Sequence, residues 1–396
     1  MKKSKLKIGV LVALLCFCSS FAGAEDLGTG MYAPTPFHVT VSVRGGFDDN
    51  VSTTAFDPVE SWFVNASIAL HYDFNSPRTQ LVLGAGAGIT SYFEDIPGQD
   101  DFDKNIYISL ALNHKASARL ILSLVAYATY QSQPDFTLAL GINRRSGNYF
   151  YTLDKFTATY LWTPRFSTAT SYTLGAIRYA EGSVGFFEDR IENTFGNEFR
   201  FLVQPTTTLV AEYRFQFVTY SNIDRDSTAH YFLAGLDHSF SPRFNVSLRG
   251  GYEIRDYDNN GTLNSPYFEG TLNYAVAKQT SLSWTTRYGT EASDVELNQS
   301  RKTFRTGLLA RHNFTPRFSG ALAVYYQHDA YDGIDTPFFF SSGFDEDSID
   351  FAASLRYALT RSLSVEVGYN HTEVTSDDVF REYSRNRYWS GLNFSF

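Results

Sequence analysis

The feature that most constrains this chain is an alternation of apolar and polar side chains that recurs from residue 37 to the end. In residues 209–217 (LVAEYRFQF), Tyr213 and Phe215 share one face, whereas Glu212 and Arg214 share the other. Successive side chains of a β-strand point to opposite faces, so the pattern predicts strands in a sheet with two different surroundings. It continues without a helical segment or a second core, unlike the limited strand set of a soluble sandwich.

Short turn sequences, rich in Pro and small polar residues, interrupt the alternation repeatedly along the whole chain. Between successive short turns lies a longer segment rich in Asp, Asn, Gly and Ser. The eight short turns fall at 75–78, 115–117, 163–165, 204–206, 241–243, 277–279, 315–317 and 359–361. Short turns at one end and long loops at the other are typical of an outer-membrane β-barrel, which closes because hydrocarbon cannot satisfy a free sheet edge.

Eight short turns join nine hairpins, which predicts an all-β protein: a single antiparallel up-and-down transmembrane barrel of 18 strands over residues 37–396. Residues 131–150 are ambiguous, because 137–142 could extend a strand or belong to a loop, so 16 strands also fit. The predicted strands are 37–47, 62–74, 79–94, 103–113, 118–131, 149–161, 166–181, 191–203, 207–221, 229–240, 244–256, 266–276, 280–291, 300–313, 317–330, 347–358, 362–375 and 385–396.

The first 24 residues have the composition of a secretory signal peptide. Four lysines precede an apolar stretch at 8–18, and Ala22 and Ala24 offer the small residues that signal cleavage requires. The residues before the two cysteines, Cys16 and Cys18, are too large for a lipoprotein signal. We therefore predict export, a short periplasmic segment at 25–36, and a mature chain without thiols.

Aromatic side chains crowd the short turns, as at Phe240 and Phe244, which indicates a girdle at the membrane interface. The chain ends with Leu392, Phe394 and Phe396 on one face of the last strand. This resembles the terminal signal that the outer-membrane assembly machinery reads, although an ordinary last strand would look the same. We predict an outer-membrane location with both termini in the periplasm and the barrel assembly machinery as a partner.

Charge is unevenly distributed between the two ends. The long loops are acidic, whereas the short turns contain Arg and Lys but no acid. Solvated loops are often acidic, but the pattern also fits loops that bind divalent cations among lipopolysaccharide phosphates, with basic turns near anionic lipid headgroups. The formal net charge of −9 and the lack of a basic run after residue 7 argue against a nucleic-acid partner.

The best candidate functional residues are charged side chains on the polar faces of the strands, which a barrel turns toward its interior. Barrels of this strand number leave an aqueous channel, and mixed charges across it would create a transverse field that sets solute preference. A plain wetted wall is the alternative. The candidate lumen residues are Arg44, Glu212, Arg214, Arg249, Glu253, Arg255, Arg287, Arg305 and Glu366.

Other motifs do not support a cofactor, metal or catalytic site. Residues 256–261 (DYDNNG) match the opening of an EF-hand loop, but Tyr267 stands where a bidentate Glu is needed. Glycines at 84, 86 and 88 are not followed by a helix, so we expect them to oppose a crowded element or permit curvature. Asp237 and His238 are adjacent and therefore point to opposite faces. We predict that the protein is not an enzyme, although a triad of distant residues would escape this reasoning.

The chain resembles the putative β-barrel porin 2 family of Gram-negative outer-membrane proteins. The resemblance rests on residues 43–51 (VRGGFDDNV), on the repeated Ser/Thr-Pro-Arg-Phe turns and on residues 141–149 (GINRRSGNY). It implies a porin-like channel, and similar barrels are associated with polysaccharide export, with periplasmic export proteins as partners. Three functions remain open: a diffusion porin for small hydrophilic solutes, a port for exopolysaccharide, and a structural or surface-recognition barrel.

Overall fold

The computed structural model describes residues 36–96, 102–133, 147–180, 188–258, 261–295, 298–336, 339–341 and 343–396. The predicted signal peptide, all but the last residue of segment 25–36, and most of the motif at 141–149 lie outside the described residues. Within the described ranges there is no α-helix, and no helix is long and apolar enough to cross a membrane.

The described chain consists of twenty β-strands. They are β1 (Phe37–Asp48), β2 (Ser61–Asn75), β3 (Thr79–Tyr92), β4 (Asp103–Lys115), β5 (Leu120–Gln131), β6 (Tyr149–Leu161), β7 (Phe166–Tyr179), β8 (Arg190–Gln204), β9 (Thr207–Tyr220), β10 (Ser227–Ser241), β11 (Phe244–Tyr257), β12 (Gly261–Ala277), β13 (Thr280–Ala292), β14 (Ser300–Thr315), β15 (Phe318–Tyr331), β16 (Ile334–Thr336), β17 (Phe339–Ser341), β18 (Phe344–Ala358), β19 (Leu363–Ser376) and β20 (Tyr383–Ser395).

Eighteen of these strands form one closed antiparallel sheet, in which each strand pairs with its neighbours in the chain. The first and last strands close the barrel, with Val41 opposite Phe394 and Arg44 opposite Gly391. The backbone of Phe396 extends this closure, because its N–H donates to the Val39 carbonyl at 2.8 Å. The predicted barrel of 18 strands is therefore confirmed, and the alternative of 16 strands is wrong.

Strands β16 and β17 form a separate two-stranded hairpin inside the loop between β15 and β18. The sequence analysis placed only a loop there. Three-residue strands are too short to produce a readable alternation of side chains, so periodicity carries no signal for them.

Hydroxyl groups in the short turns hold the hairpins together. The Thr163 and Thr315 hydroxyls each accept the backbone N–H three residues later, at 3.0 Å, and the Thr360 hydroxyl does so at 3.1 Å. A hydroxyl that binds its own backbone in this way favours a tight turn. The Ser/Thr-Pro-Arg-Phe repeats are therefore turn-forming sequences.

The two faces of the barrel differ as the alternation predicts. Large apolar side chains such as Trp62, Phe268 and Ile349 are exposed on the outside. Near the short turns, outward rings pack against each other, with Phe240 against Phe244 at 4.8 Å and Phe314 against Phe318 at 4.9 Å between ring centroids. This arrangement agrees with an interfacial aromatic girdle at the short-turn end.

Candidate functional site

Charged side chains cover only part of the interior. They concentrate on β8–β15, β18–β20 and β1, which we call the charged arc. Strands β2–β7, the hydroxyl-rich arc, place mainly Ser, Thr, Asn, Gly and Tyr on the interior face, as at Ser67, Gly86 and Tyr107, which share one face of the ladder. The inner wall therefore has two chemically different sides.

All nine predicted lumen residues lie on the interior face. Four strands of the charged arc align Arg249, Glu269, Arg287 and Arg305 in one direct row across the ladder. Glu269 was not among the sequence candidates, although it lies within a predicted strand. Glu269 lies between Arg249 and Arg287 and reduces the repulsion between them. Arg287 and Arg305 are direct neighbours of like charge, and both pair with Glu291.

The predicted residues pair with their neighbours rather than across the barrel. Arg214 Nε donates to Glu212 at 2.5 Å, Arg255 Nε donates to Glu253 at 2.8 Å, and Arg44 lies 3.4 Å from Glu366. These partners lie beside one another along the charged arc, where short distances neutralise much of each charge locally. The transverse field that mixed charges would create stays a prediction.

Arg214 illustrates how many hydrogen bonds fix one of these charged side chains in place. Besides its two bonds to Glu212, it donates to Glu269 at 2.6 and 3.1 Å and to the Tyr267 hydroxyl at 3.1 Å. Arg287 and Arg214 each lie 5.6 Å from the centre of the Tyr267 ring. Bidentate contacts and ring stacking are what a planar guanidinium favours, so this part of the wall is rigid.

A cavity of about 330 Å³ lies against the inner wall. Its lining residues come from consecutive strands, from β6 to β13, and therefore span the boundary between the hydroxyl-rich arc and the charged arc. Strands β9 to β13 contribute Arg214, Arg255, Tyr267, Glu269, Arg287 and Glu291, and strands β6 to β8 contribute Leu153, Lys155, Ser171, Thr173, Glu192 and Thr194. Its size is at the lower end of the range for small-molecule sites.

A second group of charges narrows the loop end. Arg381, in the loop between β19 and β20, donates to Asp294 in the loop after β13 at 2.7 Å, and to Glu346 at 2.6 Å. Burial alone would lower the pKa of Arg381, but the charge of Asp294 holds it above its ordinary value. From the loop between β9 and β10, Arg225 donates to the carbonyls of Ser293 and Val295. Residues 293–295 are thus tied to two distant loops.

The first and last strands are joined at the same end by a buried ion pair. Arg385 donates to Asp48 at 2.6 and 2.9 Å, and Arg387 lies 3.0 Å from the same carboxylate. The side chain of Asp48 is fully buried and that of Arg385 is 4% exposed. Arg385 also donates at 2.6 Å to Gln133, which follows β5, so the contact spans several strands of the barrel.

On the described interior face, some cations lack an ion-pair partner, whereas the carboxylates all accept hydrogen bonds. Every carboxylate on the described interior face has a donor: Asp350, for example, accepts from Asn370 and Thr372 at 2.9 and 2.7 Å. Four interior cations, by contrast, make no ion pair with a described carboxylate. They are Lys115, Lys155, Arg311 and Arg356, of which Arg356 donates only to the Ser364 hydroxyl, at 2.8 Å.

Two of the remaining motifs, the glycines of β3 and the adjacent pair Asp237 and His238, have described contacts on the faces of the barrel. Gly86 faces the interior, and a Cβ there would lie 2.4 Å from the Tyr107 ring, so a neighbouring side chain is the crowding element. Asp237 faces the interior and accepts from Arg249 at 2.8 Å, whereas His238 bonds Thr207 on the outer face. No three His, Cys, Asp or Glu side chains within the described ranges are arranged to hold a metal ion.

Sequence reasoning missed the loop residues and several strand residues. Arg225, Asp294 and Arg381 lie outside the alternating segments, and nothing in their sequence surroundings indicates that they meet. Lys155 and Glu269 could have been found, because both lie within predicted strands, with the spacing of their interior neighbours.

Comparisons with known proteins give one family match and several structural similarities at low sequence identity. The chain matches solved structures with low identity: the outer membrane protein opdK from Pseudomonas aeruginosa (13% identity, 91% of this chain, 99% of that chain, TM-score 0.44), the siderophore receptor PirA from the same organism (10%, 92%, 81%, 0.43) and OccAB4 from Acinetobacter baumannii (11%, 91%, 99%, 0.42). No curated protein sequence matches it. The model of the putative beta-barrel porin 2 family matches residues 36–396. The chain therefore belongs to the putative beta-barrel porin 2 family and is a porin-like barrel of the outer membrane.

Proposed function

We propose that the protein is a passive, non-enzymatic aqueous channel that prefers small hydrophilic anions. The observation that carries this proposal is the set of four interior cations, Lys115, Lys155, Arg311 and Arg356, without a described carboxylate partner. All interior carboxylates of the described residues are held by donors. Fixed charges lining a pore determine which ions enter it, so uncompensated cations favour anions.

The strand number and the polar interior support conduction. Barrels of 16 to 18 strands are wide enough to leave an aqueous channel when their interior is polar. Salt bridges within the charged arc leave a wall that can hydrogen-bond passing solutes without holding one tightly, as conduction requires. Contacts of Arg381 and Arg225 at the loop end restrict the size of solutes that pass.

We further propose that the short-turn end, with both termini, faces the periplasm. Short turns at the periplasmic side and longer loops outside are the usual arrangement of such barrels. On this orientation the basic turns would contact phospholipid headgroups and the acidic loops would lie among lipopolysaccharide phosphates and their cations. Leu392, Phe394 and Phe396 would then mark the strand that the assembly machinery recognises.

Purified protein in planar bilayers tests conduction. Discrete current steps are expected in potassium chloride, and their absence at all voltages would contradict the channel and favour a structural or surface-recognition barrel. Polysaccharide export, which the family resemblance implies, stays a prediction that no contact among the described residues favours. A clean deletion strain discriminates: reduced surface polysaccharide would support export with its periplasmic partners, whereas normal polysaccharide with slowed solute uptake supports the proposed channel.

A further inference from the structure

We propose that the inner-wall cavity is a binding site for a small hydroxylated monoanion, such as a sugar acid, whose negative group binds Lys155. This inference rests on the proposed function, because the solute reaches the cavity through the barrel. The cavity lies near the middle of the strands, at Lys155 of β6 and Arg214 of β9.

Among the described residues, Lys155 is the charged residue of the cavity lining that has no ion-pair partner. It is exposed and opposite Thr173, and its ammonium makes no ion pair with a described side chain. The adjacent carboxylate, Asp154, cannot compensate it, because it lies on the other face of β6, where it accepts from Thr152 at 3.1 Å. An exposed ammonium on an interior wall attracts an anionic group.

The arginines that β9 to β13 contribute to the lining each lie beside a carboxylate, and Arg287 is 3.7 Å from Glu291. Arg214 is shared between Glu212 and Glu269. Arg255 donates to Glu253 at 2.8 Å and also to Gln216 and the Tyr231 hydroxyl. A charge already held by a close carboxylate produces a weak field at greater distance. Lys155 therefore determines where the negative end of a solute binds.

The rest of the lining selects hydroxyl groups and one negative charge. Ser171, Thr173 and Thr194 supply hydroxyls that donate and accept, and Glu192 and Glu269 supply carboxylates that accept. Hydroxyls of a solute satisfy these groups, whereas a second carboxylate is repelled by them. A site built to hydrogen-bond hydroxyls also disfavours an anion that lacks them, because its polar groups are left without partners.

Current block in planar bilayers tests the site, with gluconate, glucose and acetate as probes. Gluconate is expected to interrupt the current in a concentration-dependent way, and glucose and acetate far less. Lys155→Gln should weaken the gluconate block by roughly tenfold or more, the value of a charge-assisted hydrogen bond. Lys278→Gln is the matched control, because Lys278 is an exposed lysine in the short turn between β12 and β13 that neither lines the cavity nor belongs to the four interior cations.

The outcomes of these measurements test separately the site, its selection of hydroxyls and charge, and the proposed function. Equal block by gluconate in the wild type and in Lys155→Gln, or an equal loss in Lys278→Gln, would overturn the site. Equal block by acetate and gluconate would overturn the selection of hydroxyls, and equal block by glucose would overturn the role of charge. A channel that conducts but shows none of these blocks refutes the site and leaves the proposed function standing, whereas absence of conductance refutes the proposed function itself.

Discussion

The ion pair between the first and last strands provides the sharpest prediction about stability. Asp48 is fully buried and contacts two guanidinium groups, Arg385 at 2.6 Å and Arg387 at 3.0 Å. Asp48→Asn keeps the shape of the side chain but leaves two cations near each other without their counter-charge. Removing one member of a buried ion pair costs about 3–5 kcal/mol. We expect the free energy of unfolding to fall by that amount.

The assay is urea unfolding of the detergent-solubilised or vesicle-inserted barrel, followed by tryptophan fluorescence and by heat-modifiable migration in gels. Glu366→Gln is the matched control, because its partner Arg44 is 36% exposed and lies 3.4 Å away. A partly exposed pair contributes at most about 1 kcal/mol. Equal destabilisation by the two substitutions, or a loss below about 1 kcal/mol in Asp48→Asn, would refute the argument that burial determines the size of the effect.

Two further predictions concern packing and assembly. Gly46→Ala should destabilise the barrel by about 1–3 kcal/mol, because a Cβ would lie 2.2 Å from the Tyr388 carbonyl oxygen, whereas Gly250→Ala, whose nearest contact is at 4.0 Å, should leave urea stability unchanged. Deletion of Phe396 should reduce the amount of protein in outer-membrane fractions far more than Asn393→Ser, because Asn393 faces the interior and bonds Ser42 at 2.6 Å; equal yields would count against an assembly signal.

The architecture could be predicted from the sequence because every strand of a membrane barrel faces lipid on one side and the polar interior on the other. Each of the eighteen predicted strands appears in the closed sheet, with boundaries shifted by a few residues. Short turns carry strong local signals, since Thr163 and Thr315 bond their own backbone. The short strands β16 and β17 had no such signal, because three residues cannot show a period.

The side-chain contacts of the interior could be predicted from the sequence only in part. The alternation along a strand shows that Glu212 and Arg214 share the interior face. It does not show which side chain each of them contacts. Pair identities depend on the register between strands, which brings Glu269 beside Arg287, and on loops, which bring Arg381 to Asp294. For this reason the local pairs, and the cations that lack a described carboxylate partner, emerged only from the structure.

The measurement that tests the central claim most directly is the reversal potential of the channel in a potassium chloride gradient. The wild-type channel should have the sign of anion preference. A variant in which Lys115, Lys155, Arg311 and Arg356 are all replaced by Gln should lose that preference while it still inserts and conducts. Cation preference in the wild type, or an unchanged reversal potential in the fourfold variant, would contradict the claim that these four side chains give the channel its selectivity.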